Sequence, residues 1–284
     1  MKKIAVRCGI CGANDYKEKL RKNGYKVVTC NKCGHIYVNP RLDFSTLNEL
    51  YNENKISPMP YYVENLAQDK KTFEQRLKLV EKYKKKGKLL DVGCAIGTFM
   101  NVAKERGWDV KGIDLNRSSV QKCKEAGLDV ICSPFEKHSF EKGSFDAIIM
   151  NDFLEHVPDP KEVLKTANGL LKKGGVILIV TPKIDSFMGK ISGKKWLHLK
   201  PDEHIHFYKA KHLRLILKEQ DFEVLKIFNI GRVRSLKIII DKVKTYGKIF
   251  SKILQALIPA KVADKVWINL NLSDEMAVIA RRKR

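Results

Sequence analysis

The stretch LLDVGCAIGTF, Leu89 to Phe99, constrains the fold more than any other part of this chain. It reads as a buried strand that enters a tight glycine turn and leaves as a helix. From Lys88 the same alternation repeats. KLLDVGC, DVKGIDL, DVIC, FDAIIMN, GGVILIVTP, FEVLKIF and EMAVIARR read as strands, and TFMNVAKERG, SSVQKCKEAG, PKEVLKTANGLLKK and KHLRLILKEQ as helices between most of them. Such alternation implies an α/β fold, a mostly parallel doubly wound sheet with ligands at the carboxyl ends of its strands.

The turn itself discriminates among ligands. A triphosphate loop needs GxxxxGK[ST], and no Lys-Ser or Lys-Thr follows Gly97. A dinucleotide loop needs GxGxxG, whereas Gly93 and Gly97 stand wider apart and Asp91 precedes them. A carboxylate repels a pyrophosphate and attracts an ammonium or a sulfonium. The turn therefore favours a cationic ligand.

DVGCAIGTF, followed at the next strand end by GIDLN, resembles the nucleoside-binding motifs of class I S-adenosylmethionine-dependent methyltransferases. CSPFE, FDAIIMNDFLEHVPDP and LLKKGGVILIVTP resemble the later motifs of that family, in family order. The likeness runs from Lys88 to roughly Asn229, with Met276 onward as the closing strand. It implies a Rossmann-like seven-stranded sheet whose last strand is antiparallel. It also implies a cofactor site of Asp91, Gly93, Gly97, Asp114, Leu115, Ser133, Pro134, Phe135 and Asn151. Asp114 would take the ribose hydroxyls, Leu115 would flank the adenine, and Ser133, Pro134 and Phe135 would lie under the base. Ala95 stands where many members carry a second glycine.

Acceptor chemistry is expected at two places. NDFLEHVPDP resembles the corresponding segment of the ubiquinone-biosynthesis O-methyltransferases, whose carboxylates and histidine bind a divalent metal. That likeness implies a magnesium site at Asp152, Glu155 and His156, with Asp152 one methylene shorter than the family's residue. Glu155 and His156 are also candidates for acid–base work on the acceptor; the alternative is that they cap and brace the loop. In WLHLKPDEHIHFYK, His204, His206 and Tyr208 alternate to one face if the segment is extended. His204 and His206 are candidate bases, or else they pin a loop that also carries Trp196 and His198.

Seven cysteines divide into two groups. Cys94, Cys123 and Cys132 read as small core residues. Cys8, Cys11, Cys30 and Cys33 form CGICG and CNKCG, two near-copies that supply four thiolates from two turns, as a tetrahedral zinc site requires. YKEKLRKNGYKVVTC between them reads as a hairpin turning at Asn23-Gly24. A ribbon of this size draws its folding energy from the metal. CxxCGHIYVNPR with the ELYNEN helix resembles the zinc-ribbon methyltransferases of surface-polysaccharide and lipid gene neighbourhoods. A reducing, cytoplasmic compartment fits these cysteines, and no window approaches the roughly 18 apolar residues of a spanning helix.

The expected organisation is a zinc ribbon over 1–40 and a helical linker over 41–87, where Ser45 or Thr46 caps a helix. The cofactor domain covers 88–230 and 273–284, and a basic amphipathic helical insertion covers 231–272. In the insertion Leu236, Ile240, Val243, Ile249, Phe250, Ile253 and Leu257 mark one face, opposite Lys237, Asp241, Lys244, Lys248 and Lys252. Residues 233–258 read either as a lid over the acceptor or as a contact with an anionic membrane. A net charge of +23, mostly from lysine, fits a polyanionic partner or merely a lysine-rich surface. The leading expectation is methyl transfer to a small, lipid-linked or saccharide acceptor. The alternatives are an RNA methyltransferase that holds nucleic acid on the ribbon and basic surface, and a zinc-bearing binding module on an inactive fold. No NPPY-type motif follows the fourth strand, which disfavours methylation of a base amine.

Overall fold

The computed structural model describes residues 2–53, 59–243, 258 and 260–283. At the N-terminus β1 (Lys3–Ile4) is followed by the ribbon strands β2 (Tyr16–Lys22), β3 (Tyr25–Cys30) and β4 (Ile36–Val38). β2 and β3 pair antiparallel across Asn23-Gly24, the hairpin expected there. β5 (Arg41–Leu42) returns to pair with β1 and leads into α1 (Phe44–Asn52). The cap of α1 is Asp43, whose carboxylate accepts the Thr46 amide at 3.0 Å, rather than Ser45 or Thr46. Helix α2 (Met59–Glu81) then runs into the main sheet.

That sheet is built from β6 (Lys88–Val92), α3 (Thr98–Glu105), β7 (Asp109–Asp114), α4 (Arg117–Glu125), β8 (Asp129–Cys132), β9 (Phe145–Asn151), α5 (Pro160–Leu170) and β10 (Leu171–Pro182). The chain continues through α6 (Phe187–Ser192), β11 (His206–Phe207), α7 (Ala210–Glu219), β12 (Phe222–Ser235), α8 (Leu236–Val243), α9 (Ala260–Lys265) and β13 (Trp267–Arg282), of which β12 and β13 join this sheet. The spatial order is β12-β13-β10-β9-β6-β7-β8. β13 runs antiparallel to β10 and to β12, and the other neighbouring pairs are parallel. This is the seven-stranded sheet with an antiparallel last strand. Strand order reverses at β6, which has β7 on one side and β9 on the other, so a crevice opens at the carboxyl ends of these strands.

The two-residue period of the strands divides the core. Leu90, Val92, Ile148, Met150, Ile177 and Ile179 face α5 and α7. Leu89, Ala147, Ile149, Leu178 and Val180 face α2 and α3. Both faces are covered, so these strands read as continuous apolar runs. α5 starts where its sequence says it should: Asp159 accepts the amides of Lys161 and Glu162, and Pro160 occupies the first turn, where its missing N–H costs nothing.

Two features depart from the sequence reading. Residues 231–235 and 267–272, expected within a helical insertion, prolong β12 and β13 as an antiparallel pair, with Arg232 opposite Leu270 and Ser235 opposite Trp267. Ile268, Leu270 and Leu272 alternate with Asn269 and Asn271, which is the period of a strand. Helix α8 belongs to the 233–258 segment, but its continuation through Lys244, Lys248, Ile249, Phe250, Lys252, Ile253 and Leu257 lies outside the described residues. Secondly, the ribbon sheet has a fourth strand. β11, from the chain beyond β10, pairs with β4, with His206 opposite Tyr37 and Phe207 opposite Ile36.

Candidate functional site

Two acids stand at the head of the reversal point. Asp91, next to last in β6, is buried, and burial together with the charge of Asp114 pushes its carboxyl up to about 8. Asp114 ends β7, and burial raises it as well. One Asp114 oxygen accepts the Ala95 amide at 2.8 Å and the other the Asn116 amide at 2.8 Å, which leaves a lone pair on each for a ligand hydroxyl. Among the described residues no cation offsets either acid, so the crevice favours positive charge. Between them the chain turns through Gly93 (φ 74°), Ala95 (φ 47°) and Gly97 (φ 77°). A Cβ on Gly97 would meet Leu128 Cδ1 at 2.4 Å, and one on Gly93 would meet Phe153 Cδ2 at 2.7 Å. Only glycine fits either position.

The cleft above holds about 960 Å³ of empty space, open solvent included. Gly93, Asp114, Leu115, Ser133 and Phe135, the residues named from the sequence, line it, and so do His156 and Asp152. Asp91 and Gly97 form its floor and turn rather than its lining. Pro134 starts the short turn that carries Phe135. Asn151, expected at the cofactor, instead accepts a hydrogen bond from Arg76 at 3.0 Å.

The roof was not anticipated. Phe44, Leu47, Asn48 and Tyr51 lie on one face of α1, with Tyr62 of α2 beside them. Their spacing of three, four and seven is the signal that marks them in the sequence. Asn116 clasps this roof by donating to the Tyr51 carbonyl at 2.6 Å, and the Arg117 amide donates to Asn52 at 3.2 Å.

Beside the cleft, one carboxylate oxygen of Glu155 and one nitrogen each of His156 and His204 lie within 4.8 Å of one another. Thr181 donates to Glu155 Oε2 at 2.9 Å, while the buried Oε1 has no partner. Burial, reinforced by Asp152, holds the Glu155 carboxyl well above the usual range. His204 Nδ1 lies 2.8 Å from the His198 carbonyl, and His156 Nδ1 is 3.0 Å from the Glu203 carbonyl and 2.9 Å from the Tyr51 hydroxyl. The tautomer that satisfies both carbonyls puts the proton on Nδ1 and leaves each Nε2 with a lone pair. Burial lowers His156 to about 4 and holds His204 well below the usual imidazole range, so both rings are neutral at pH 7. A cation ligated by three such groups would satisfy the orphaned oxygen, and the hydrogen-bonded Nδ1 atoms are the orientation that ligating histidines need.

Asp152 does not join that cluster, in contrast to the expected magnesium set. Its φ of 51° turns it towards Arg232 at 2.8 Å and Arg76 at 3.5 Å. Although burial opposes it, Arg232 and then Arg76 hold its carboxyl well below the usual range. Arg76 also reaches Glu275 at 3.1 Å, so two guanidiniums and two carboxylates close a neutral, partly buried network. His204 takes the place that Asp152 was expected to fill.

His206 is not a base at the cleft. Its ring lies in the ribbon interface, with Nδ1 2.9 Å from His35 Nε2 and so near Gly9 that a Cβ there would meet Cε1 at 2.9 Å. The extended HIHFY segment alternates as expected, but β11 turns His206 towards the ribbon while the chain just before it delivers His204 to Glu155.

In the ribbon, Cys8, Cys11, Cys30 and Cys33 converge, with Sγ separations of 3.6 Å for Cys8–Cys33 and 3.5 Å for Cys11–Cys30. Tetrahedral zinc at about 2.3 Å from sulfur demands edges of about 3.8 Å. Burial pushes the Cys8 thiol up to about 11, a cost that a cation removes. The donor set and spacing fit zinc.

A methyltransferase domain family profile matches residues 62–227. An uncharacterised protein of Methanocaldococcus jannaschii is 28% identical over 155 residues, 54% of this chain and 73% of its own length. A ubiquinone biosynthesis O-methyltransferase of Vibrio parahaemolyticus is 30% identical over 49% of this chain and 65% of its own. One of Idiomarina loihiensis is 38% identical over 33% of this chain, which spans 42% of that relative. Among solved structures, a SAM-dependent methyltransferase from Archaeoglobus fulgidus superposes with a TM-score of 0.55 at 21% identity, covering 78% of this chain and 99% of its own. Phosphoethanolamine N-methyltransferase 2 of Haemonchus contortus, in complex with S-adenosyl-L-methionine, also gives 0.55, at 17% identity over 82% of this chain and 60% of that one. These structures share the fold.

Proposed function

This chain belongs to the methyltransferase domain family and is an S-adenosylmethionine-dependent enzyme; on that premise we propose that it methylates an oxygen or carbon of a small, lipid-linked or saccharide acceptor at an anionic membrane surface. The cofactor supplies an electrophilic methyl on a sulfonium, an excellent leaving group. What remains for the protein is to align, to exclude water and to take a proton. Asp91 offers its charge to the cationic end of the cofactor and Asp114 its free lone pairs to the ribose. The α1 roof keeps water from the cleft. His156, the one member of the histidine–glutamate cluster that lines the cleft, takes the acceptor proton, with Tyr51 and the Glu203 carbonyl holding its ring. Glu155, His156 and His204 also have the donors for a divalent cation; were one bound, His156 Nε2 would be its ligand instead of the base, and the cation would polarise an acceptor hydroxyl there. Zinc in the ribbon is part of the same proposal.

The observation that carries the membrane reading is a wedge on the segment after β10. Phe187, Ile191 and Leu197 are 70%, 67% and 65% exposed, more than any other large apolar side chain among the described residues. Phe187 and Ile191 share one face of α6, and the exposed Lys190, Lys194 and Lys195 rim them. Apolar anchors within a lysine rim suit an anionic interface. The same segment of chain carries His198 and His204, so the stretch that bears the wedge also supplies a member of the acceptor cluster. No helix among the described residues is long and apolar enough to cross a membrane.

The test is to incubate the enzyme with methyl-labelled cofactor and cell extract, then separate lipid, glycan and RNA. Label in lipid or glycan supports the proposal, and label in RNA overturns it. Vesicles containing phosphatidylglycerol should carry the wild type in flotation and should lose a Phe187→Ser/Ile191→Ser variant. Equal flotation of the two removes the wedge from the proposal.

A further inference from the structure

β11 is only two residues long, yet it is bonded on both sides. On one side it closes the ribbon sheet: Val38 donates to the Ile205 carbonyl at 3.0 Å, and His206 and Phe207 pair with Tyr37 and Ile36. On the other, the amides of Ile205 and His206 both donate to the Glu155 carbonyl, at 3.0 and 3.1 Å. His204, which meets Glu155 and His156, is the next residue back. A single extended segment thus fastens the acceptor-side cluster to the cysteine ribbon.

Side chains lock the same joint. His35, directly after the CNKCG knuckle, is fully buried and bonds His206 at 2.9 Å. It stacks on Tyr37 and meets His212 edge-on at 5.0 Å. His212, in the first turn of α7, lies 3.3 Å from the carbonyl of Cys33, a member of the cysteine set. The Tyr208 hydroxyl donates to the Leu154 carbonyl at 3.1 Å, one residue before Glu155. Cys8, Ile10, Val28, Cys30 and Tyr37 share one apolar core with the main sheet. Freely swinging ribbons do not share a core with a catalytic domain, and a ribbon built only to hold a macromolecule gains nothing from histidines buried at its root.

We propose that the ribbon braces the acceptor site through β11, with His206 as a positioning residue that sets Glu155 and His204 at their working separation. The buried hydrogen bond between the two rings, with the β4 pairing, holds β11 in register against the ribbon. The four thiolates and their metal hold β3 and β4 in place, and β4 holds β11. Loss of the metal frees β11 and, with it, the side of the site that faces the acceptor. The cofactor end of the cleft, at Gly93 and Asp114 on the β6 and β7 side, keeps its shape. This inference rests on the reading of the Glu155–His156–His204 cluster as the acceptor side.

The experiment pairs metal removal with substitution in the full chain. Zinc is stripped by a chelator, and hydrogen exchange is followed peptide by peptide. Peptides spanning 203–208 and 153–157 are expected to exchange at least tenfold faster, while those of β6 and β7 are unchanged. S-adenosylmethionine affinity, by calorimetry, stays within about threefold. His206→Phe, with zinc content intact, should reproduce the faster exchange and lower label transfer at least tenfold. His206→Asn, whose amide reaches the place of Nδ1, should restore most of both. Unchanged exchange at 203–208 after metal removal, or in His206→Phe, overturns the proposal. So does a loss of cofactor affinity in step with activity, because the residue would then support the whole fold. Exchange and calorimetry need no acceptor, so absence of label transfer by the wild type would sink the functional reading and leave the joint decided on its own.

Discussion

Asp91→Asn sets stability against cofactor binding. In the unfolded chain an aspartate titrates near 3.8; in the fold Asp91 titrates at about 8 because it is buried beside Asp114 with no cation. A carboxyl raised on folding contributes fully below the unfolded value and loses its contribution as pH rises through the folded one. The cofactor-free wild type should therefore weaken relative to the variant from about pH 4 to about pH 8, then run parallel to it. At pH 7 the unfolded carboxylate lies three pH units above its own titration, and each unit is worth about 1.4 kcal/mol, so the ceiling is about 4 kcal/mol. Local relaxation and water entry lower this, and about 2 kcal/mol is expected, or roughly 4–8 °C in melting temperature. Thermal melts from pH 5 to 9 read it directly. With S-adenosylmethionine the order reverses: a cation favours the ionised carboxylate, so the wild type releases a proton on binding at pH 7 and the variant does not. Calorimetry in two buffers of different ionisation enthalpy measures that proton, and the variant's affinity should fall at least tenfold. Parallel melting profiles across the whole range, or equal affinity, would refute the electrostatic account of the cleft.

Gly97→Ala places a methyl on Leu128 at a left-handed position and should cost about 2 kcal/mol or more in urea unfolding, with weaker cofactor binding. Arg76→Met leaves the buried Glu275 and the half-buried Asp152 with Arg232 as their remaining guanidinium, and chemical denaturation should register a loss of about 3 kcal/mol. Tyr51→Phe keeps the α1 roof but removes the hydroxyl at His156, so label transfer should drop by about tenfold while cofactor affinity changes little.

The parts legible in the sequence were those written in short range. The glycine turn, Asp91 and Asp114 follow from one strand–turn–helix passage and the next strand end. The four cysteines follow from two knuckles. Partnerships across long loops were not legible. Arg76 and Glu275 lie on a linker helix and the closing strand, and nothing local marks either as the other's counterion. Asn151 looked like a cofactor residue because it ends β9, yet Arg76 claims it. His204 and His206 share one alternating run, and the pattern gives their face but not what lies opposite. Tertiary pairing with β4 sent His206 to the ribbon. In the 231–272 segment the neighbouring lysine-rich helical pattern masked a period-two stretch that belongs to the sheet.

The joint between His35 and His206 spans 171 positions of chain. During synthesis at about 5–20 residues per second, the two knuckles emerge roughly ten to thirty seconds before the strand that completes their sheet. For that interval the nascent segment presents four thiols and an open edge at β4, and zinc, on the proposal above, would shield the thiols. The order of assembly would then depend on how promptly these first few dozen residues find a metal.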